Sequence, residues 1–73
     1  MISSSKKDIR SRVVTALEES SIRRLRFIKV EFQDNTLCLR GEVRSFYHKQ
    51  LLQELVRSID GNVQVRNDVT VEA

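Results

Sequence analysis

The strongest constraint in this 73-residue chain is a period-two alternation of apolar and polar residues that is interrupted once, at Asp34-Asn35. Asp and Asn both tolerate positive φ, so this pair predicts a two-residue type I′ turn. The resulting register sets four pairs opposite one another: Gln33 and Thr36, Phe32 and Leu37, Val30 and Leu39, and Ile28 and Gly41. Every apolar side chain then meets an apolar residue or the glycine on one face. The segment is therefore predicted to be an antiparallel hairpin with one buried face.

Two amphipathic helices flank this hairpin. The first is predicted to begin at Asp8 and to end near Ser20-Ser21. The second follows Ser45, a good N-cap, and stops at Asp60-Gly61-Asn62, where Gly61 is placed for a left-handed residue beyond the helix end. The apolar stripes are Ile9, Val13, Ala16 and Leu17 in the first helix, and His48, Leu51, Leu52, Leu55, Val56 and Ile59 in the second.

A last strand is predicted after the second helix, with Val63, Val65, Val69 and Val71 on one parity. Asn67 shares that parity, so its amide needs a hydrogen-bonding partner inside the fold. Gly41 also lies inward, which indicates close approach of a neighbouring helix or chain. The order α-β-β-α-β predicts an α+β fold, a two-layer sandwich with two helices on one face of a three-stranded mixed sheet. The other face is predicted to be wet, lined by Lys29, Glu31, Gln33, Thr36, Cys38, Arg40, Gln64, Arg66 and Asp68.

These intervals resemble the BON domain, a family named for bacterial osmotically inducible and nodulation proteins. The resemblance rests on Ile28-x-Val30-x-Phe32-x-Asp34-Asn35-x-Leu37-x-Leu39-x-Gly41-x-Val43, and on Gly61 followed by Val65-x-Asn67-x-Val69-x-Val71. Asn35 and Asn62 stand where the family usually has Gly and Val. The resemblance implies one BON-like domain over residues 8–73, after a disordered tail of residues 1–7. It also implies a non-enzymatic accessory module, associated with phospholipid membranes and found in periplasmic stress proteins, secretins and mechanosensitive channels, hence a place in the cell envelope.

The basic charge of the chain is concentrated in its first third. Residues 1–26 carry seven bases and three acids (+4), whereas residues 27–73 carry six bases and seven acids (−1). Such asymmetry is typical of a protein with an anionic partner, although a solvated basic helix has the same pattern. The candidate membrane or partner contacts are Lys6, Lys7, Arg10, Arg12, Arg23, Arg24 and Arg26, with Phe46, Tyr47 and Lys49 as a lipid insertion point.

Several functional classes are disfavoured by the residues that the sequence lacks. One Cys and one His supply neither a disulfide nor a structural zinc site, and no nucleophile or carboxylate is placed beside His48. Cys38 is expected to be exposed and unreactive beside Glu31. A phosphate-binding glycine loop and base-stacking aromatics on the wet face are both missing, which disfavours RNA binding. No apolar run of about 18 residues or signal-peptide block is present, so the chain as written reads as cytoplasmic by default.

The sequence therefore predicts a module without enzymatic activity, metal or cofactor that contacts anionic phospholipid or a membrane-bound partner. The alternative is a protein-interaction or small-ligand-sensing domain that uses the wet face of its sheet. The structural positions predicted to shape either version are Asp34, Asn35, Gly41, Gly61 and Asn67.

Overall fold

The structure is a computed structural model, and it describes residues 5–72. Helix α1 (Lys6–Glu18) is followed by a short 3₁₀ helix (Arg23–Phe27), here called the 3₁₀ turn. The remaining elements are β1 (Lys29–Gln33), β2 (Thr36–Arg40), β3 (Glu42–Val43), α2 (Phe46–Ile59), β4 (Gln64–Asn67) and β5 (Thr70–Val71). The predicted α+β fold with two helices and a three-stranded mixed sheet is confirmed.

The hairpin has the register that the sequence predicts. Strands β1 and β2 are antiparallel, with Val30 opposite Leu39 and Phe32 opposite Leu37. The prediction of a type I′ turn was wrong, however. Only Asp34 has positive φ (57°), whereas a type I′ turn requires positive φ at both central residues. Positive φ is costly for a residue with a side chain, and this reversal needs it only at Asp34 and not at Asn35.

The sheet is completed by a parallel strand whose position the sequence left open. The order is β1-β2-β4, so β2 is central, and Leu37 pairs with Val65 across the parallel ladder. The connection from β2 to β4 contains α2, as a parallel pair requires. Both helices cover the same face, and fully or almost fully buried side chains fill the space between the layers: Val13, Leu37, Leu39, Val43, Leu52, Val56 and Val69. Burial of each such side chain contributes roughly 1.5–3 kcal/mol.

The single last strand that the alternation predicts is divided in two. Strand β4 pairs with β2, and β5 pairs in parallel with the short β3 in a separate two-stranded sheet. Between β2 and β3 the extended chain is interrupted by Gly41, whose φ of 143° introduces a bend. Between β4 and β5 the Oδ1 of Asn67 accepts a hydrogen bond from the backbone N–H of Val69 at 3.3 Å. The bend at Gly41 and the turn at Asn67 lie opposite each other, so the parallel pairing of β2 with β4 stops there and resumes as the pairing of β3 with β5.

Helix α1 has different ends from those predicted. Helix α1 begins at Lys6, because the Ser5 hydroxyl accepts a hydrogen bond from the Asp8 N–H (3.2 Å), and it ends at Glu18. Lys6 and Lys7 are therefore helical, where a disordered tail was expected. The rest of that expected tail, residues 1–4, lies outside the described residues.

Helix α2 is capped by Ser45 as predicted, since the Ser45 hydroxyl accepts from the His48 N–H at 3.2 Å. The expectation for Gly61 was wrong, because Gly61 does not have positive φ. Asp60 ends the helix instead: its backbone is extended (φ −151°), and its Oδ1 accepts a hydrogen bond from the Asn62 N–H at 2.9 Å. An aspartate side chain that bonds two residues ahead makes a turn without a left-handed glycine.

The open face of the sheet is polar as predicted, with one exception. Cys38 is only 3% exposed, so the expectation of a solvent-facing thiol was wrong. Cys38 lies in the middle of the central strand, between Glu31 of β1 and Arg66 of β4. A small side chain flanked on both sides by longer ones is shielded even on a face that no helix covers.

Candidate functional site

The segment between α1 and β1 forms the 3₁₀ turn, an element that was not predicted from the sequence. Ile22, Leu25 and Ile28 lie three residues apart and all face inward, with Leu25 3% exposed. Three residues per turn is the period of a 3₁₀ helix, so this spacing is the signal that could have revealed it. The same period leaves the intervening residues outside.

The outward-facing residues of the 3₁₀ turn are three arginines and a phenylalanine. Arg23, Arg24 and Arg26 are exposed, and Phe27 has 80% of its surface in solvent. Within residues 5–72, the ion pairs join Arg12 to Asp8 and Arg66 to Asp68. None of the three guanidinium groups of the 3₁₀ turn lies within 4.0 Å of a carboxylate in this part of the chain. Phe27 was not among the predicted contact residues, although it is more exposed than either predicted aromatic.

Two further aromatic side chains extend into solvent at the start of α2. Phe46 is 76% exposed and Tyr47 is 66% exposed. Tyr47 borders a groove of about 510 Å³ that the 3₁₀ turn and α2 line together, with Ile22, Leu25 and Leu51 among its apolar residues. Tyr47 and Leu25 of the 3₁₀ turn thus line the same groove. Phe46, its neighbour in sequence, is the first residue of the helix.

An open hollow of about 450 Å³ lies on another side of the 3₁₀ turn. It is lined by Arg23, Arg24, Phe27, Gly41 and Glu42. Gly41 matters here because a Cβ at this position would lie 2.8 Å from the Cδ1 of Ile28, well inside contact distance. The close approach that the inward glycine predicted is thus made by Ile28, at the residue where the 3₁₀ turn leads into β1.

A neighbouring hollow of about 290 Å³ contains two pairs of opposite charges, and it too borders Arg24. Its charged residues are Arg24, Arg44, Glu42 and Glu72. A side-chain hydrogen bond to Glu42, and then the negative charge of Glu42, raise the pKa of Glu72, while Arg24 acts in the opposite direction. The neighbouring carboxylate disfavours a second negative charge, so Glu72 keeps its proton to a higher pH than an isolated glutamate does.

The predicted basic residues occupy two separate places. The first group lies in the first half of α1 and consists of Lys6, Lys7, Arg10 and Arg12. The C-terminal end of α1, which precedes the 3₁₀ turn, is about 18 Å along the helix axis from Lys6. The Nε of Arg10 donates a 2.7 Å hydrogen bond to the carbonyl oxygen of Val30, so this guanidinium is engaged in the fold. The arginines of the 3₁₀ turn, by contrast, belong to the same element as Phe27, and Arg23 and Arg24 line a hollow together with it.

Lys49 and Asn67 are joined through a backbone contact. The Nδ2 of Asn67 donates a 2.9 Å hydrogen bond to the carbonyl oxygen of Lys49, which ties β4 to α2. Lys49 is half-buried, and its carbonyl oxygen thus has a structural contact. The side-chain amide of Asn67 therefore hydrogen-bonds to the backbone of both Lys49 and Val69. These are the partners that a polar side chain on the inner face of a strand requires.

Cys38 and His48 each have a side chain that could take part in chemistry. Cys38 is buried, and its Sγ lies 3.8 Å from the carbonyl oxygen of Thr36. The Nδ1 of the half-buried His48 has no hydrogen-bond partner in the described part of the chain. Over residues 5–72, no group of three or more His, Cys, Asp or Glu side chains is arranged to hold a metal ion.

The family model of the BON domain matches residues 5–73, which is nearly the entire chain. The chain belongs to the BON domain family. A comparison with curated proteins finds no match. BON domains are binding modules rather than catalysts, and they are known for association with phospholipid membranes and for their presence in envelope proteins. In this BON domain, none of the helices described between residues 5 and 72 is long and apolar enough to cross a bilayer.

Proposed function

We propose that this BON domain binds the surface of anionic phospholipid membranes, and that it does so through one surface around the 3₁₀ turn. This surface, here called the aromatic–arginine surface, consists of Arg23, Arg24, Arg26, Phe27, Phe46 and Tyr47. The observation that carries the proposal is the exposure of its aromatic side chains, 80% for Phe27, 76% for Phe46 and 66% for Tyr47, together with the hollow that Phe27 lines with Arg23 and Arg24.

The chemistry of this surface suits a lipid interface. Aromatic rings enter the boundary between headgroups and acyl chains, and arginines attract the phosphate groups above it. Each base near an anionic surface contributes about 1 kcal/mol, so Arg23, Arg24 and Arg26 together would contribute about 3 kcal/mol. Binding of this size is reversible and weakens with salt.

The two predicted groups of bases make different contributions in this proposal. The arginines of the 3₁₀ turn act with the aromatics at the membrane, whereas Lys6, Lys7 and Arg12 lie in the first half of α1 and add a general attraction. Arg10 is held by Val30. The open sheet face, which the protein-interaction alternative would use, carries charges of both signs, including the 2.9 Å ion pair of Arg66 with Asp68.

Vesicle co-sedimentation tests this proposal. Wild-type protein should sediment with vesicles of phosphatidylcholine and phosphatidylglycerol at low salt, less at high salt, and little with phosphatidylcholine alone. Phe27→Ser and Phe46→Ser should each weaken binding, and so should Arg23→Gln. Lys29→Gln is the matched control, because it removes the same charge from the open sheet face.

The outcomes separate the candidates. Equal binding to neutral and anionic vesicles at low salt contradicts the electrostatic attraction to lipid. Unchanged binding of both phenylalanine variants contradicts the aromatic insertion. If Lys29→Gln weakens binding as much as Arg23→Gln does, the contact is not confined to the aromatic–arginine surface, and total charge alone explains the binding.

A further inference from the structure

The feature that carries a further inference is the pair of carboxyl groups beside the aromatic–arginine surface. In the parallel register of β3 with β5, Glu42 pairs with Thr70 and Val43 pairs with Val71. Because side chains alternate along a strand, Glu42 and Glu72 lie on the same face of this ribbon, opposite to the buried Val43. The backbone N–H of Glu72 donates to the carbonyl oxygen of Val43 at 2.8 Å, which fixes Glu72 at the ribbon.

The charges that face this pair come from the 3₁₀ turn and from the segment before α2. Glu42 borders one hollow with Arg23 and Arg24, and both glutamates border the other with Arg24 and Arg44. In that second hollow two ionised carboxylates balance two guanidinium groups. When the carboxyl groups hold one proton between them, the same hollow has a net charge of +1.

We infer that Glu42 and Glu72 form an acid-sensitive switch, which lowers the affinity of the aromatic–arginine surface for anionic lipid at neutral pH and raises it at acid pH. The inference rests on the proposed membrane binding and adds its regulation. Above the pH at which the pair loses its shared proton, its two negative charges neutralise Arg24 and Arg44. Below that pH one charge disappears, and the arginines attract phosphate groups more strongly.

The direction of the pKa shift supports this assignment. Glu42 raises the pKa of Glu72, so the proton is retained at a higher pH than on an isolated glutamate. The change in charge therefore begins above the usual glutamate pKa of about 4.3 and not below it. One unit of charge at an anionic surface corresponds to roughly a fivefold change in affinity.

The experiment is a pH titration of binding to phosphatidylcholine–phosphatidylglycerol vesicles, from pH about 4.5 to about 8. The wild type is compared with Glu72→Gln, and with Glu31→Gln as the matched control. Glu31→Gln removes the same charge from an exposed position on the open sheet face. At the upper end of the range, Glu72→Gln should bind about fivefold more tightly than the wild type, and the two affinities should converge as the pH falls. Every variant retains His48, so the contribution of that side chain is common to all.

A constant ratio of the two affinities across the pH range overturns the switch, and so does an equal response from Glu31→Gln. A second measurement needs no lipid: the NMR chemical shift of the Glu72 carboxyl carbon should titrate at lower pH in Glu42→Gln than in the wild type. If the midpoint of this titration is the same in Glu42→Gln and in the wild type, the pair does not share a proton and the switch is wrong. If the midpoint moves but no protein binds vesicles at any pH, the pair exists, and the proposed membrane function and its regulation are both wrong.

Discussion

The two glycines should respond in opposite ways to the same substitution, Gly→Ala. At Gly41 the added Cβ would lie 2.8 Å from the Cδ1 of Ile28, and the backbone φ of 143° is one that residues with side chains rarely adopt. Backbone strain of this kind costs about 1–3 kcal/mol, and crowding in a packed core costs about 1–3 kcal/mol more. Ile28 can move in part, because its Cδ1 is the end of a flexible side chain. We therefore expect Gly41→Ala to lower the free energy of unfolding by about 2–4 kcal/mol.

At Gly61 the added Cβ would meet only the carbonyl oxygen of Arg57, at an ordinary 3.7 Å, and φ is not positive. Alanine there restricts the unfolded chain without straining the folded one, so Gly61→Ala should stabilise the protein by about 0.4–1 kcal/mol. Urea denaturation followed by circular dichroism measures both changes. Gly41→Ala should also lower the melting temperature by roughly 10–30 °C, since 1 kcal/mol shifts a domain of this size by several degrees. If Gly61→Ala proves as damaging as Gly41→Ala, the structural distinction between the two glycines is wrong.

Four further predictions concern the core, the polar contacts and pH. Leu39→Ala should cost about 2–5 kcal/mol in urea denaturation, because Leu39 is fully buried; a loss below about 1 kcal/mol would contradict that burial. Asn67→Ala should cost about 1–3 kcal/mol in the same assay by removing its two backbone hydrogen bonds, and a neutral result would refute their importance. Cys38 should react slowly with a thiol reagent in the native protein and fast in urea, and equal rates would exclude its burial. Because Glu42 raises the pKa of Glu72 in the folded protein, protonation of Glu72 stabilises the fold. This stabilisation is complete below the pKa of Glu72 in the unfolded chain and disappears as the pH rises through its pKa in the folded protein. The melting temperature measured against pH should show this decrease in the wild type and not in Glu42→Gln.

The parts of the fold that could be predicted from sequence are those specified by local periodicity. Strict alternation on both sides of Asp34-Asn35 allows one register with a single apolar face, and β1 and β2 have that register. The stripes of α1 and α2 are equally local, and each contains a fully buried valine, Val13 in α1 and Val56 in α2. The cap at Ser45 depends only on its own residue type and on the helix that follows it.

The features that escaped prediction depend on contacts between distant segments. Cys38 is buried because β4 pairs with β2, and nothing in the local pattern specifies that neighbour. The proximity of Glu42 to Glu72 depends on pairing across about thirty residues of sequence. Phe27 was missed for a different reason: without the period of three in the 3₁₀ turn, its exposed position could not be assigned.

The hydrogen bond from Arg10 to Val30 has a consequence for how molecules of this domain can associate. Strand β1 is an outer strand of the three-stranded sheet, and such strands invite a strand from another molecule to add on. The guanidinium of Arg10 already occupies a carbonyl oxygen of this strand, so an incoming chain would have to displace it. The arginine that counts in the sequence as one more positive charge thus blocks one hydrogen-bonding position on the β1 edge.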